Sequence, residues 1–211
     1  MNIFNEVLNN YIDQHSSPLS SVLQNLYRDT HLRTLSPMMV SGHQQGILLQ
    51  MLSQMIKPEK ILEIGTFTGF STICWAEGLA KNGTIDTIEL NDEYSWFHQK
   101  YFTESGFAEK IKAHYGNALE IIPQLNSDYD VVFIDADKPA YSTYFDLAID
   151  KVKSGGWIIA DNVLWKGKVL ENTMDKTTQI IDAFNKKVSH DNRVESLILS
   201  VRDGLNIMRK K

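Results

Sequence analysis

From Lys60 onward, short apolar segments alternate with helical ones about every 25 residues, and this alternation constrains the fold more than anything else in the chain. "KILEIG", "TIDTIEL", "KIKAHYG", "DVVFIDA" and "WIIADN" are strand-like runs of five to seven residues. Between them, "STICWAEGLA", "DEYSWFHQKYFTESG" (ending at Gly106) and "YFDLAIDKV" have helical spacing, the last stopped by Gly155 and Gly156. "KTTQIIDAFNKKVSH" is a further helix. Strands separated by helices require crossovers, and crossovers make a parallel sheet. The tail breaks the pattern. "VESLILSV" and "LNIM" are joined by "RDG", a hairpin turn, so an antiparallel pair is expected at the C-terminal edge.

The first sixty residues read differently. Leu19, Leu23 and Leu26 share one helical face in "SSPLSSVLQNLYRDT". Ser41 followed by Gln44 fits a capping box, and Ile47, Leu48, Met51, Leu52 and Met55 form the expected inward face of the next helix, closed by Pro58. No linker, repeat or low-complexity run separates these residues from the rest, so one domain is expected. A chain of 211 residues with 43% hydrophobic content can bury a core without staples, and its single cysteine, Cys74, excludes a disulfide framework. There is no apolar run of membrane-spanning length and no basic, apolar leader, so a soluble, cytoplasmic protein is expected. A net charge of −5 argues against a broad nucleic-acid surface.

Ligands on open α/β sheets bind beyond the C-terminal ends of the strands. Four of the five strand-end loops carry an acid there: Glu63 before "GTFTG", Glu89, Asp135 with Asp137, and Asp161 beside Asn162. "GTFTG" differs from a dinucleotide fingerprint because Phe67 holds the position of the glycine that lets a diphosphate approach. Gly65 and Gly69 fit a tight turn beside a ligand without phosphates. They fit equally well as a turn glycine and a helix-packing glycine. Glu89 lies 24 residues after Gly65, where an acid reads as a partner for ribose hydroxyls, with a solvated loop carboxylate as the plainer reading.

Asp135, Asp161 and Asn162 are hard oxygen donors suited to magnesium, manganese or calcium rather than zinc. The alternative is that Asp161 caps the next segment and Asp135 pairs with Lys138. A lysine beside a bound cation and partly desolvated is placed to act as a general base, although an ordinary exposed lysine fits the same letters. The six histidines show no ligand spacing, and neither G-x-S-x-G nor a Walker motif occurs.

Taken together and in this order, "ILEIGTFTGFST", "TIELN", "GNALEIIPQL", "FIDADKPAY" and "GGWIIADNVLWKG" resemble the cation-dependent, S-adenosylmethionine-dependent O-methyltransferases, the family of catechol and caffeoyl-CoA O-methyltransferases, in a bacterial form. The resemblance runs from about Leu35 to the C-terminus. It implies an α/β, Rossmann-like class I methyltransferase fold. That fold has a seven-stranded, mostly parallel sheet with an antiparallel C-terminal strand and helices on both faces. Residues 1–211 would be one methyltransferase domain, with 1–40 as an N-terminal helical extension or lid. The resemblance also implies site roles. Met39, Val40, Glu63, Gly65 and Ser71 would line the cofactor's methionine end, Phe67 would also contact the cofactor, and Glu89 would hold the ribose. Ala118 and Asp137 would border the adenine, with Asp135 at both cofactor and metal. Asp135, Asp161 and Asn162 would bind Mg2+, Mn2+ or Ca2+, and Lys138 would take the acceptor's proton. Trp165 would stack on a flat aromatic acceptor, or else simply pack. A homodimer is expected. "MVSGHQQG" departs from the family's usual form at Gly42 and His43.

Three functions compete. The first is methylation of a vicinal-diol, catechol-like small aromatic acceptor. The second is methylation of a hydroxyuridine in tRNA, for which Lys166, Lys168, Lys186, Lys187, Arg209, Lys210 and Lys211 would supply a basic patch. The third is a catalytically inactive nucleoside-cofactor-binding protein, against which the intact Asp135, Lys138, Asp161 and Asn162 weigh. Phe67 disfavours an NAD-dependent oxidoreductase.

Overall fold

Side chains alternate across a strand, so a strand buried on both faces needs apolar residues at every position. β1 (Lys60–Ile64) meets this after its exposed first residue, except at Glu63: Leu62 and Ile64 join the core on one face of the sheet, and Ile61 joins the core on the other. The computed structural model describes residues 3–211, so Met1 and Asn2 of the expected N-terminal extension lie outside the described residues.

The elements follow in the expected order. α1 (Ile3–Gln14), α2 (Ser21–Arg33) and α3 (His43–Ile56) precede β1. Then come α4 (Phe70–Ala76), β2 (Thr84–Glu89), α5 (Ser95–Glu104), β3 (Ile111–Tyr115), α6 (Ala118–Ile121), β4 (Tyr129–Ile134), α7 (Tyr141–Lys151), β5 (Val152–Asp161), α8 (Lys176–Ser189), β6 (Val194–Leu199) and β7 (Leu205–Lys210). The seven strands lie in the order β3-β2-β1-β4-β5-β7-β6. Only β7 is reversed, paired antiparallel to both β5 and β6. α2 to α5 cover one face and α6 to α8 the other, each with its own core. Strand order reverses between β1 and β4, which opens the crevice where such sheets bind ligands. Among the described residues no helix is long and apolar enough to cross a membrane.

Three local expectations need correction. α7 is stopped at Lys151, not by Gly155 and Gly156; both glycines lie inside β5, where its register against β4 shifts. Gly155 takes φ +78, so the pair makes a bulge rather than a helix end. The capping box of Ser41 and Gln44 does not form. Gly42, at φ +78, caps α3 without a side-chain hydrogen bond, and the Ser41 carbonyl is taken by Arg202.

The inward face of α3 is only partly the one expected: Leu48 and Leu52 pack against the core, but the most buried side is displaced from them. Gln45, Gly46, Leu49, Gln50 and Ser53 are buried, whereas Met51 and Met55 are 56% and 79% exposed. Close approach to α4 decides this. A methyl group added at Gly46 would meet the Phe70 ring at 2.9 Å, and the Ser53 hydroxyl donates to the Trp75 carbonyl at 2.6 Å. Small and polar residues allow this spacing, and the methionine stripe does not.

Candidate functional site

The site is built from the turns after β1, β2, β4 and β5. Gly65 ends β1 at φ +99, and a Cβ there would lie 2.1 Å from the Asp135 carbonyl oxygen. Its backbone freedom is thus needed for the β1 and β4 loops to meet. Gly69 is the packing glycine of the plainer reading, since a Cβ would meet Phe102 of α5 at 2.6 Å.

Phe67 stands at φ +49 at the tip of this turn, and both its backbone groups are held. Its N–H donates to Glu89 Oε2 at 2.7 Å, and its carbonyl accepts from His98 Nε2 at 2.7 Å. That leaves His98 Nδ1 to accept from the Tyr115 hydroxyl at 2.8 Å. Burial lowers the His98 pKa, which keeps the ring neutral for this double role. The second Glu89 oxygen accepts from the Asn91 N–H at 2.9 Å, and burial raises its carboxyl pKa against the pull of these backbone donors.

Glu63 faces α4 and is fully buried. It accepts hydrogen bonds from the hydroxyls of Ser71 (2.7 Å), Thr87 (2.6 Å) and Thr72. Burial nevertheless pushes its carboxyl up from 4.5 to about 7. Between those values the folded chain keeps a proton that the unfolded chain has released. Stability therefore falls as pH rises through that window, by roughly 3 kcal/mol once Glu63 is ionised in both states. Glu63→Gln retains the hydroxyl partners and cannot titrate. Urea unfolding at about pH 5 and about pH 8 should show wild type losing ground to the variant. An unchanged difference between the two would remove Glu63 as the cause.

The β4 and β5 ends bring Asp135, Asp161, Asn162 and Lys138 together. Asp161 is 2% exposed, and burial, with the Asp135 charge next in weight, raises its carboxyl to about 7. Lys138 Nζ donates to Asp135 Oδ1 at 3.3 Å and to the Tyr141 hydroxyl at 2.5 Å. Tyr141, buried under the loop, donates its hydroxyl hydrogen bond to the Asp161 carbonyl at 2.9 Å. Asn162 takes φ +58 directly after the strand. A cation fits these residues on their own chemistry. Among the described residues Lys138 is the cationic side chain that acts on these two carboxylates, one of them buried, and the carboxylates themselves offer oxygen donors. Among the described residues no group of three or more carboxylate, imidazole or thiol side chains is placed to hold a metal, so a cation here would need a further oxygen donor such as the expected Asn162 amide.

The other expected site residues are spread around this centre. Met39 is exposed, whereas Val40, Ser71 and Ala118 are buried. Asp137 is exposed and accepts from the Tyr144 hydroxyl at 2.5 Å. Trp165, at φ +48, is half-buried and packs against the core on the α7–α8 face. Gln45, His98, Tyr141 and Arg202 had no sequence signal as site residues. His43 accounts for the odd "SGH": its Nδ1 lies 3.0 Å from Asp13 Oδ1 and its Nε2 lies 2.8 Å from the Ser17 carbonyl, which ties the end of α1 to the start of α3.

Comparison with known proteins bears on the family and the fold. The sequence profile of the O-methyltransferase family matches residues 13–211. The catechol O-methyltransferase of Niastella koreensis is 38% identical over 74% of this chain and 73% of its own length. The O-methyltransferase of Bacillus cereus, solved in complex with SAH, superposes with a TM-score of 0.89 at 28% identity, covering 97% of each chain. The SAH-bound methyltransferase PaMTH1 of Podospora anserina shares the fold with a TM-score of 0.91 at 24% identity, over 100% of this chain and 96% of its own.

Proposed function

The chain belongs to the O-methyltransferase family, and from that premise we propose that it moves a methyl group from S-adenosylmethionine to one hydroxyl of a catechol-like aromatic acceptor, with a divalent cation. The observation that carries this reading is the convergence of Asp135, Asp161, Asn162 and Lys138 beside the Gly65–Glu89 crevice. A cation held there supplies Lewis acidity that makes a chelating phenol easier to deprotonate. Lys138 as the neutral amine would receive that proton and become the ammonium, and the Gly65–Ser71 turn with Glu89 orients the donor for in-line displacement. Glu63, enclosed beneath the turn, acts through Ser71. The α1–α2 segment covers the acceptor side in this reading, with His43 as its tether, and Trp165 borders it.

Glu89 serves the ribose in this reading. Each of its oxygens already accepts one backbone N–H and keeps a further lone pair for a ribose hydroxyl. Glu89→Ala should weaken S-adenosylmethionine binding by about 1.5–3 kcal/mol, measured by calorimetry. Unchanged affinity would remove the ribose assignment.

A panel assay tests the function. The protein is given S-adenosylmethionine with either vicinal-diol phenols or undermodified tRNA, with and without magnesium. Methyl transfer to the phenols alone supports the reading, and transfer to tRNA alone replaces it. Charge pairing favours the phenol. Lys168, Lys186 and Lys187 are engaged by Asp175, Asp182 and Asp146, and Lys210 by two carbonyls, which leaves a weak basic field. The proposal includes a cytoplasmic location and a second copy of the chain as partner, for which the outward stripe with Met51 and Met55 on α3 is suited.

A further inference from the structure

Asp161 Oδ2 accepts from Gln45 Nε2 at 2.7 Å, across 116 positions of sequence. Gln45 is completely buried on α3. Its own amide oxygen faces Arg202 Nη1 at 3.3 Å, and the same guanidinium nitrogen donates to the Ser41 carbonyl just before the helix. We infer that Gln45, oriented by Arg202, is a positioning residue that fixes the Asp161 carboxylate for cation binding. This rests on the reading of Asp161 as a cation ligand.

The argument turns on amide polarity. A glutamine side chain presents an acceptor on one side and a donor on the other, and either can face a partner. Arg202 can only donate, so it requires the Gln45 oxygen. The NH2 group is then left facing Asp161, where it can only donate. A carboxylate offers about four lone-pair positions. Gln45 takes one on Oδ2, and the Asn162 N–H takes one on Oδ1 at 2.6 Å. Both oxygens therefore keep a free position while the plane of the group is held from two sides. Groups hydrogen-bonded behind a metal ligand fix its orientation in this way.

The β6–β7 turn that carries Arg202 grips the Asp161 loop a second time. The Asp203 and Gly204 carbonyls accept from the Leu164 N–H (2.9 Å) and the Val163 N–H (3.2 Å), and the Asp203 carboxylate accepts from the Lys166 N–H. One turn thus ties α3 to the loop after β5. Burial alone does not account for Gln45, since an apolar residue of the same length would fill the same space on α3 without leaving a donor to satisfy.

The test uses the full chain saturated with S-adenosylhomocysteine and reads Mn2+ affinity by electron paramagnetic resonance. Gln45→Met keeps the length and removes the amide. It should weaken Mn2+ about 10- to 100-fold, with S-adenosylhomocysteine affinity unchanged. Arg202→Met should give a smaller loss in the same direction, and the double variant should be no worse than Gln45→Met alone. Arg202 sits on an exposed turn, so its variant keeps the test open if Gln45→Met does not fold. Wild-type Mn2+ affinity in Gln45→Met, a parallel loss of S-adenosylhomocysteine binding, or additive effects of the two substitutions would each overturn the inference. A wild-type chain that binds S-adenosylhomocysteine but no Mn2+ would instead overturn the cation reading beneath it, and the inference with it.

Discussion

Lys138→Met should lower the single-turnover rate of methyl transfer by about 10²- to 10⁴-fold, the usual loss when a positioned proton acceptor is removed. Binding of S-adenosylmethionine should change far less. The structure offers Lys138 a second occupation that the experiment has to separate from the first. Its Nζ bridges Asp135 and the Tyr141 hydroxyl, and Tyr141 bonds the Asp161 carbonyl, so Lys138 also ties the β4 loop to the β5 loop. A base and a clamp respond differently to the acceptor. If Lys138 takes the proton, the defect shrinks for acceptors whose hydroxyl is already acidic, such as a nitro-substituted catechol. If it only clamps, the loss is equal across acceptors. Tyr141→Phe is the control, because it cuts the tie to β5 and leaves the amine. It should cost much less than Lys138→Met, and an equal cost would favour the clamp. Methionine suits this test because the side chain is only 11% exposed and its length and packing should be kept.

Removing divalent cations should abolish turnover, with a loss of 10²-fold or more expected from the several kcal/mol that a Lewis acid contributes. Added magnesium should restore it. Asp161→Asn should reproduce the loss without a chelator, because it removes one of the two carboxylates, Asp135 and Asp161, that act on each other at this site. Cofactor affinity should survive both treatments better than activity does, since the turn that would hold the nucleoside is fastened separately, by Glu89 and His98 acting on Phe67. The measurement is turnover and calorimetric S-adenosylmethionine affinity, side by side, in chelator and in excess magnesium. Full activity at zero metal content would remove the cation from the mechanism.

Much of the fold was legible because its causes are local. Period-two and period-3.6 patterns reflect how side chains leave a strand or a helix, so "KILEI", "TIDTIE" and "YDVVFI" could be read as β1, β2 and β4 within a residue or two. The reversed last strand followed from "RDG" between two short runs. Where local pattern and packing disagreed, packing prevailed. The methionine stripe of α3 has helical spacing, yet the opposite side is buried because only Gly46 and Ser53 let α4 come close. The two glycines after α7 looked like a stop signal, but they bend β5 where its register against β4 shifts.

The site divides in the same way. The letters alone mark Glu89, Asp135 and Asp161 at strand ends, since a strand ends where its apolar run ends, whereas Glu63 lies within β1 and is buried. Which of those ends are neighbours depends on the strand order β3-β2-β1-β4-β5-β7-β6, and no run of letters encodes that order. Asp135 and Asp161 meet because β4 lies beside β5, and Gly65 sits under Asp135 because β1 lies on the other side of β4. Gln45, His98 and Arg202 had no local mark because each works through a partner at least 31 positions away. Hydrogen bonds between distant residues exist only after the sheet has closed the distance, so tertiary structure alone decided what holds Asp161 and the Phe67 turn in place.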